Sequence, residues 1–350
     1  MRLARRQLRS TIFFGPLGRN IGYQMPGACF TASTLDDVMR LAFQEILQNG
    51  ERVTASRGAN LEIAGARLEI EDPRARLSLT EMRGRPFSCL GELCWYLAGA
   101  SSVDFISYYL QQHYQDYPPD GEVYGAYGPR LFNWKGAHQL ANVTRVLRAK
   151  PSSRQAVIQL FDASDLTEEH DDVPCTCTIQ FLVRSDRLQM LAHMRSNDAF
   201  LGLPHDVFCF TMLQEIVAAD LSLEIGTYRH MVGSLHIYES DVAAARRFLG
   251  EGWQSSNERE RMPPMPAGNP WPGVSVLLDA ERQIRAGGSF DDAKLDGVDA
   301  YWVDLVGLLR VFRCRRDNNL AGIVAARDRM SSSLYFPFID RLAQSLQPAG

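Results

Sequence analysis

No apolar run in this chain of 350 residues approaches the roughly 20 that a membrane span needs. The basic start, Met1 to Arg6, is followed by Gln7, Arg9, Ser10 and Thr11 where a secretory leader would carry an apolar core, so a cytoplasmic protein is expected. An excess of positive charge is also missing. With 37 basic and 41 acidic residues the net charge is -4, which gives no global field for nucleic acid, although local basic pockets for a small phosphate stay open. Cysteines are too few and too irregular for a disulfide scaffold: there are seven, an odd count, as in a reducing compartment. Cys175-Thr176-Cys177 is neither a zinc nor a thioredoxin spacing, and no second Cys/His pair completes a site, so no metal is expected.

What is present is an ordinary globular composition, 45% hydrophobic, in a chain long enough to bury a large core. Thr34 caps a predicted helix over residues 35–48, with an apolar stripe from Leu35 to Leu47 and a stop at Asn49-Gly50. Two alternating segments, Leu61 to Ile63 and Arg67 to Ile70, read as a hairpin turning at Ala64-Gly65. Residues 87–98 are apolar around one carboxylate, Glu92, which is costly to bury without a partner. Residues 114–130 are rich in Tyr, Pro and Gly and read as irregular, and residues 162–172 as an acidic surface loop. Strands are predicted over 176–183, 188–194 and 227–237, with an amphipathic helix over 207–221 between the last two. Residues 254–274 have a linker's composition, and helical patterns resume beyond them.

The chemistry concentrates between Val173 and Pro204. Cys175 is followed by Gln180-Phe181, then by Arg195-Ser196-Asn197-Asp198 and Leu201-Gly202-Leu203-Pro204. A lone cysteine is more often a buried, inert side chain than a nucleophile. Its company here changes that weight, because a cation, a carboxylate and a glycine turn coincide at fixed spacing. This constellation resembles the central signature of thymidylate synthase and its pyrimidine hydroxymethylase relatives, and the match runs from about Thr34 to about residue 250.

The resemblance implies an α/β (α+β) fold: a large mixed twisted sheet flanked by helices, pairing as a homodimer. The expected division is an N-terminal extension over 1–33, a catalytic domain over 34–253, a linker-like segment over 254–274 and a helical C-terminal extension over 275–350. It implies catalytic roles for Cys175 as nucleophile, Glu92 in proton relay and Tyr124 in removing the carbon-5 proton. Nucleotide contacts fall on Arg57, Arg195, Ser196 and Gln180, with His236 and Tyr238 on the sugar, and Arg154 crossing from the other subunit. A second arginine usual beside Arg154 is replaced by Gln155. Asp198 and Gly202 fall at the folate, so 5,10-methylenetetrahydrofolate is the implied co-substrate of a pyrimidine nucleoside monophosphate.

One departure bears on the base. The synthases carry asparagine two residues after Leu-Pro; this chain carries Asp206. Uracil presents a donor at nitrogen 3 and an acceptor at position 4, and cytosine the reverse, so a carboxyl group suits cytosine. The plainer reading of Asp206 is a cap on the helix that follows. Thr176 stands where the synthases have histidine, and His205 replaces an aromatic; both fit entry of water. The chain is thus most similar to cytidylate 5-hydroxymethylases, those of nucleoside-antibiotic biosynthesis first and the phage-type deoxycytidylate enzymes next. An altered thymidylate synthase acting on dUMP and a non-catalytic nucleotide- or RNA-binding regulator are the alternatives.

Overall fold

A computed structural model describes residues 28–55, 57–170, 172–252, 261–288 and 290–346. Most of the expected N-terminal extension and part of the linker-like segment lie outside the described residues. Among the described residues no helix is long and apolar enough to cross a membrane.

A seven-stranded mixed sheet forms the centre. Its strands are β1 (Cys29–Ala32), β2 (Glu51–Ala55), β3 (Gly58–Ile70), β4 (Val157–Gln159), β5 (Thr176–Arg184), β6 (Arg187–Asp198) and β7 (Glu224–Tyr238). They lie in the order β1-β3-β7-β6-β5-β4, with β2 paired to β3. The β1/β3 and β6/β7 pairs are parallel and the rest antiparallel. The tight link between β5 and β6 places Ser185 and Asp186 at φ 51° and 56°, the left-handed pair that matches the twist of a two-residue hairpin.

The expected hairpin at Ala64-Gly65 does not form. Residues 58–70 make one strand, in register along its length with β7, and the hairpin lies earlier, where Ala55 pairs with Gly58. Gly65 does break the local pattern. It takes φ +69°, and the inward alternation of β3 slips there, from Ala66 and Leu68 on one side to Ile63 and Leu61 on the other. Gly233 of β7 and Arg195 of β6 occupy the same row, and a Cβ on Gly233 would stand 2.7 Å from the Arg195 carbonyl oxygen. The alternation slips in all three strands together, while the pairing itself stays in register through Ser196–Ser234 to Asp198–His236.

The helices are α1 (Leu35–Asn49), α2 (Pro86–Leu97), α3 (Val103–Tyr109), α4 (Tyr127–Phe132), α5 (Gln139–Ala149), α6 (Gly202–Asp220), α7 (Val242–Gly250), α8 (Trp271–Arg285), α9 (Ala300–Arg316), α10 (Leu320–Asp328) and α11 (Phe336–Gln344). Thr34 caps α1 by accepting the Asp37 N–H at 3.1 Å. The helix stops at Gly50 because a Cβ there would meet the Ile46 carbonyl oxygen at 2.4 Å. Parallel β6 and β7 need a crossover, and α6 supplies it. That helix starts five residues before the expected amphipathic one and is buried on every side from Leu203 to Ala219. An all-round apolar helix belongs to the interior, not to a surface.

The C-terminal helices pack into the same core. Helices α8 and α9 both lie on α2, where the Tyr109 hydroxyl donates to Glu281 at 2.9 Å and Gly91 lets the Tyr109 ring rest on the α2 backbone. Glu215 on α6 is fixed by Arg74 at 2.8 Å, by fully buried Arg76 and by the Met265 N–H at 3.1 Å. Burial opposes its charge, but the two arginines hold its carboxyl below the ordinary range. Removing one partner of such a buried cluster leaves uncompensated charge, so Glu215→Ala is expected to cost about 3–5 kcal/mol in urea denaturation, and Glu215→Gln less.

Candidate active site

Cys175 stands immediately before β5, partly buried. Arg195, on the neighbouring strand, donates through Nε to the Pro174 carbonyl at 3.0 Å and through its terminal nitrogen to Val173 at 2.8 Å, while its backbone N–H meets the Cys175 carbonyl at 2.8 Å. The arginine thus fixes the segment that presents the thiol. Burial pushes the Cys175 thiol up from its ordinary value, and Arg195 and Arg57 pull against that. The ligand-free thiol therefore keeps its proton at neutral pH, and the two arginines are the groups placed to favour its loss.

Glu92 lies on α2 facing α6. Burial opposes its charge, but His205 Nδ1 at 2.7 Å and the Tyr96 hydroxyl, donating at 2.8 Å, hold the carboxyl below its ordinary value. The His205 ring feels the converse. Burial disfavours its charge, yet Cys89 and Glu92 outweigh that and push it up to about 10. Its other nitrogen lies 3.3 Å from the Ser88 hydroxyl. The result is a largely buried ion pair, Glu92 with His205.

Asp206 follows one residue later and caps nothing. Its Oδ2 accepts the amide nitrogen of Asn197 at 2.7 Å across the gap between α6 and β6. Asn197 Oδ1 lies 3.1 Å from His230 Nε2, and His230 Nδ1 lies 2.6 Å from the Tyr228 hydroxyl. Burial pushes Asp206 up to about 8, Glu92 adds to this, and the Asn197 bond opposes it. Burial also drives His230 down to about 3, so its ring is neutral. Asp206 therefore holds a proton at neutral pH.

Asp198 closes the turn into α6: its Oδ1 accepts the N–H groups of Phe200 and Leu201 at 2.8 and 3.0 Å. Gly202 serves the opposite side. A Cβ there would stand 3.2 Å from Asn197 Nδ2, so its bare Cα makes room for the Asn197–Asp206 bond. His236 pairs with Asp198 across β6 and β7 and packs edge-on to Tyr238 at 5.0 Å. Ser196 pairs with Ser234 one row away. Arg57 lies exposed at the β2–β3 turn, and its charge reaches Cys175 and Asp172. Arg154 is exposed before β4; only its carbonyl is engaged, accepting Gln180 Nε2 at 3.0 Å, and Gln180 lies on β5.

Tyr124 falls elsewhere than the sequence reading put it. Its hydroxyl donates to Asp165 at 3.0 Å, its ring stacks on His170 at 3.5 Å, and Asp165 is locked to fully buried Arg130. The tyrosine beside the Cys175 segment is Tyr127, whose oxygen accepts the Thr176 N–H at 3.0 Å and lies 2.9 Å from the Thr176 hydroxyl. Two Tyr-Gly pairs, Tyr124-Gly125 and Tyr127-Gly128, lie three residues apart, and spacing alone does not choose between them. The acidic loop over 162–172 is likewise no mere surface loop. Asp165 is buried, and Asp172 tucks against Gly125, its carboxyl raised by burial against the pull of Arg57 and His113. Asn197, His230, Tyr228 and Tyr96 were not singled out by the sequence. The signal present was their polarity at positions where the strand or helix pattern demands apolar residues.

The family model for thymidylate synthase matches residues 40–258, more than half of the chain. The chain is also similar to the deoxyuridylate hydroxymethyltransferase of Bacillus phage SP01, with 30% identity over 215 residues. That alignment covers 57% of this chain and 56% of the phage protein, so the chain spans little more than half the length of the relative it matches.

The Asp206 proton has a thermodynamic consequence. Aspartate in the unfolded chain titrates near 3.9, whereas the folded value is about 8. Between these values the folded state holds a proton that the unfolded state has lost, so this group's contribution to stability falls as pH rises from about 4 to about 8. Asp206→Asn removes that slope. Urea denaturation of both proteins across this range is expected to show the variant gaining on the parent steadily with pH, with the gain levelling off above about 8.

Proposed function

The chain belongs to the thymidylate synthase family, and from that membership we propose that it transfers a one-carbon unit from 5,10-methylenetetrahydrofolate to carbon 5 of a cytidine nucleotide, CMP or dCMP, leaving a hydroxymethyl group. The observation that carries the base assignment is a buried carboxyl, Asp206, where the synthases have asparagine, with burial and Glu92 pushing its titration up to about 8. A neutral acid offers one acceptor and one donor, the complement of cytosine's amine and ring nitrogen 3.

The residues then divide the work. Carbon 5 of a pyrimidine is a poor nucleophile, and covalent addition at carbon 6 makes it a good one. Cys175 supplies the sulfur: its S–H bond breaks, a bond forms to carbon 6, and the electron pair of the ring double bond moves to carbon 5. Arg195 and Arg57 favour the thiolate against burial. The folate supplies a carbon at the oxidation level of formaldehyde. Once that carbon is joined, loss of the carbon-5 proton and expulsion of Cys175 restore the ring, and the Tyr127 phenol, protonated and set beside the Cys175 segment, is in position for that proton's path. The Glu92–His205 pair holds water and passes protons, which favours addition of water over hydride transfer. Arg57, Arg195 and Ser196 bind the phosphate, and Arg154, exposed in one chain, reaches a partner's phosphate in a homodimer. His236 and Tyr238 hold the 3'-hydroxyl, which both sugars carry.

A second reading has its own support: the phage relative is named for deoxyuridylate, so the same chemistry on a uracil nucleotide is the runner-up. Retention of Cys175 together with Glu92 speaks against a non-catalytic regulator, since binding needs neither. Incubation with the folate and CMP, dCMP or dUMP, followed by mass spectrometry, separates these readings. A hydroxymethyl gain on the cytosine nucleotides is expected, with dUMP turned over about 10^4-fold less well; product from dUMP alone would sink the cytosine assignment. Cys175→Ala is expected to lose at least about 10^4-fold in kcat while still binding nucleotide, as measured by equilibrium dialysis.

A further inference from the structure

Asp206 does not act on its own terms. A carboxylic acid is symmetrical: its proton can sit on either oxygen, so an isolated acid presents donor–acceptor in one order as readily as in the other. One order pairs with cytosine and the other with uracil. Acidity alone therefore does not discriminate the two bases. Something must break the symmetry.

The buried chain behind Asp206 does so. Asn197 puts its amide nitrogen on Asp206 Oδ2 at 2.7 Å and its oxygen 3.1 Å from His230 Nε2. An amide oxygen only accepts, so His230 must donate from Nε2. A neutral ring then has a bare Nδ1, and the Tyr228 hydroxyl at 2.6 Å donates to it. Every bond in the chain runs one way, from Tyr228 through His230 and Asn197 to Asp206. His230 and Tyr228 have no measurable exposure and Asn197 is 4% exposed, so water cannot replace a member. Gly202, with no side chain to press on Asn197 Nδ2, leaves the last bond undisturbed.

We propose that Asn197, oriented by His230 and Tyr228, tunes base specificity by favouring Asp206 Oδ2 as the carbonyl-type acceptor and Oδ1 as the seat of the carboxyl proton. The inference rests on the reading of Asp206 as the group that faces the base edge. The acid then shows the ring one preferred donor–acceptor order. A carboxyl oxygen has two lone pairs, so Oδ2 accepts the cytosine amine while still holding Asn197, and Oδ1–H donates to ring nitrogen 3. Reversing the order needs a proton on Oδ2, which turns that oxygen into a hydroxyl, a much weaker acceptor for the Asn197 N–H than a carbonyl oxygen. Asn197, His230 and Tyr228 are positioning residues; none needs to touch the nucleotide.

The test is a ratio. Specificity constants for dCMP and dUMP are measured for the parent, Asp206→Asn, Asn197→Ala and Tyr228→Phe. Asp206→Asn reports whether position 206 reads the base at all. If the chain sets the proton's place, Asn197→Ala lowers the cytosine-to-uracil ratio at least about 10-fold, through a rise in dUMP turnover as well as a fall in dCMP turnover. Tyr228→Phe removes one buried hydroxyl remote from the ring, frees the His230 tautomer and shifts the ratio the same way by a smaller factor. A merely structural role would depress both nucleotides alike and leave the ratio unchanged. Because Asn197→Ala leaves the His230 N–H unpaired, Tyr228→Phe is the folded control, and equilibrium binding of dCMP and dUMP to each variant gives the ratio even where turnover is too slow to measure. A ratio moved by Asp206→Asn but by neither relay variant overturns this inference alone. A ratio unmoved by all three overturns the reading of Asp206 as well.

Discussion

Two largely buried carboxyl groups, Glu92 and Asp206, lie close enough for the charge of one to oppose that of the other, and both cannot be ionised there without great cost. Neighbouring acids in low dielectric push their pKa values apart. The molecule resolves the conflict by giving one acid a cation and the other a proton. Glu92 takes the His205 ring at 2.7 Å and the Tyr96 hydroxyl, and stays ionised. Asp206 has an amide donor and no cation bonded to it, and is pushed up to about 8. Acids whose environments separate them in this way are suited to different tasks, one to moving protons and one to donating a hydrogen bond.

This separation depends on where the backbone puts the two helices. Asp206 and His205 are neighbours near the start of α6, so a fixed distance to α2 brings His205 to Glu92 and leaves Asp206 over β6. The fixed distance comes from packing. Helix α6 is buried on all sides, and α2 is held from behind by α8 and α9. The C-terminal helices therefore stabilise the wall that carries Glu92. The Arg74–Arg76–Glu215 cluster does the same for the far half of α6. Gly233, with no Cβ to press on the Arg195 carbonyl, lets the strands stay paired at the row from which Arg195 reaches back to the segment before Cys175.

Much of this was legible in the residues. The cap at Thr34 and the order of strands after residue 176 follow from periodicity and spacing, and the placements agree. The misreadings have local causes. Gly65 imitates a hairpin turn because a glycine at positive φ is also how paired strands slip their alternation. Tyr124 and Tyr127 are equivalent by motif, and only the long-range partners, Asp165 for one and Thr176 for the other, separate them. Asp165 reads as solvated because its partner, Arg130, is 35 residues away. Asn197 and His230 were invisible as a pair because they lie on adjacent strands 33 residues apart.

The neutral state of Asp206 changes how rejection of the wrong base is argued. A carboxylate against uracil's carbonyl would be rejected by charge, and that repulsion would fade wherever water entered. A neutral acid has little charge to repel with. Its discrimination comes from the order of donor and acceptor, and a mismatch leaves two buried groups on each side unpaired. Such a penalty is paid only if the acid cannot rearrange, since moving one proton between its oxygens would repair the mismatch at once. Selectivity from a neutral acid therefore demands a neighbour that penalises the rearrangement. The buried, one-directional chain from Tyr228 to Asn197 is built in that form, ending on one oxygen of Asp206.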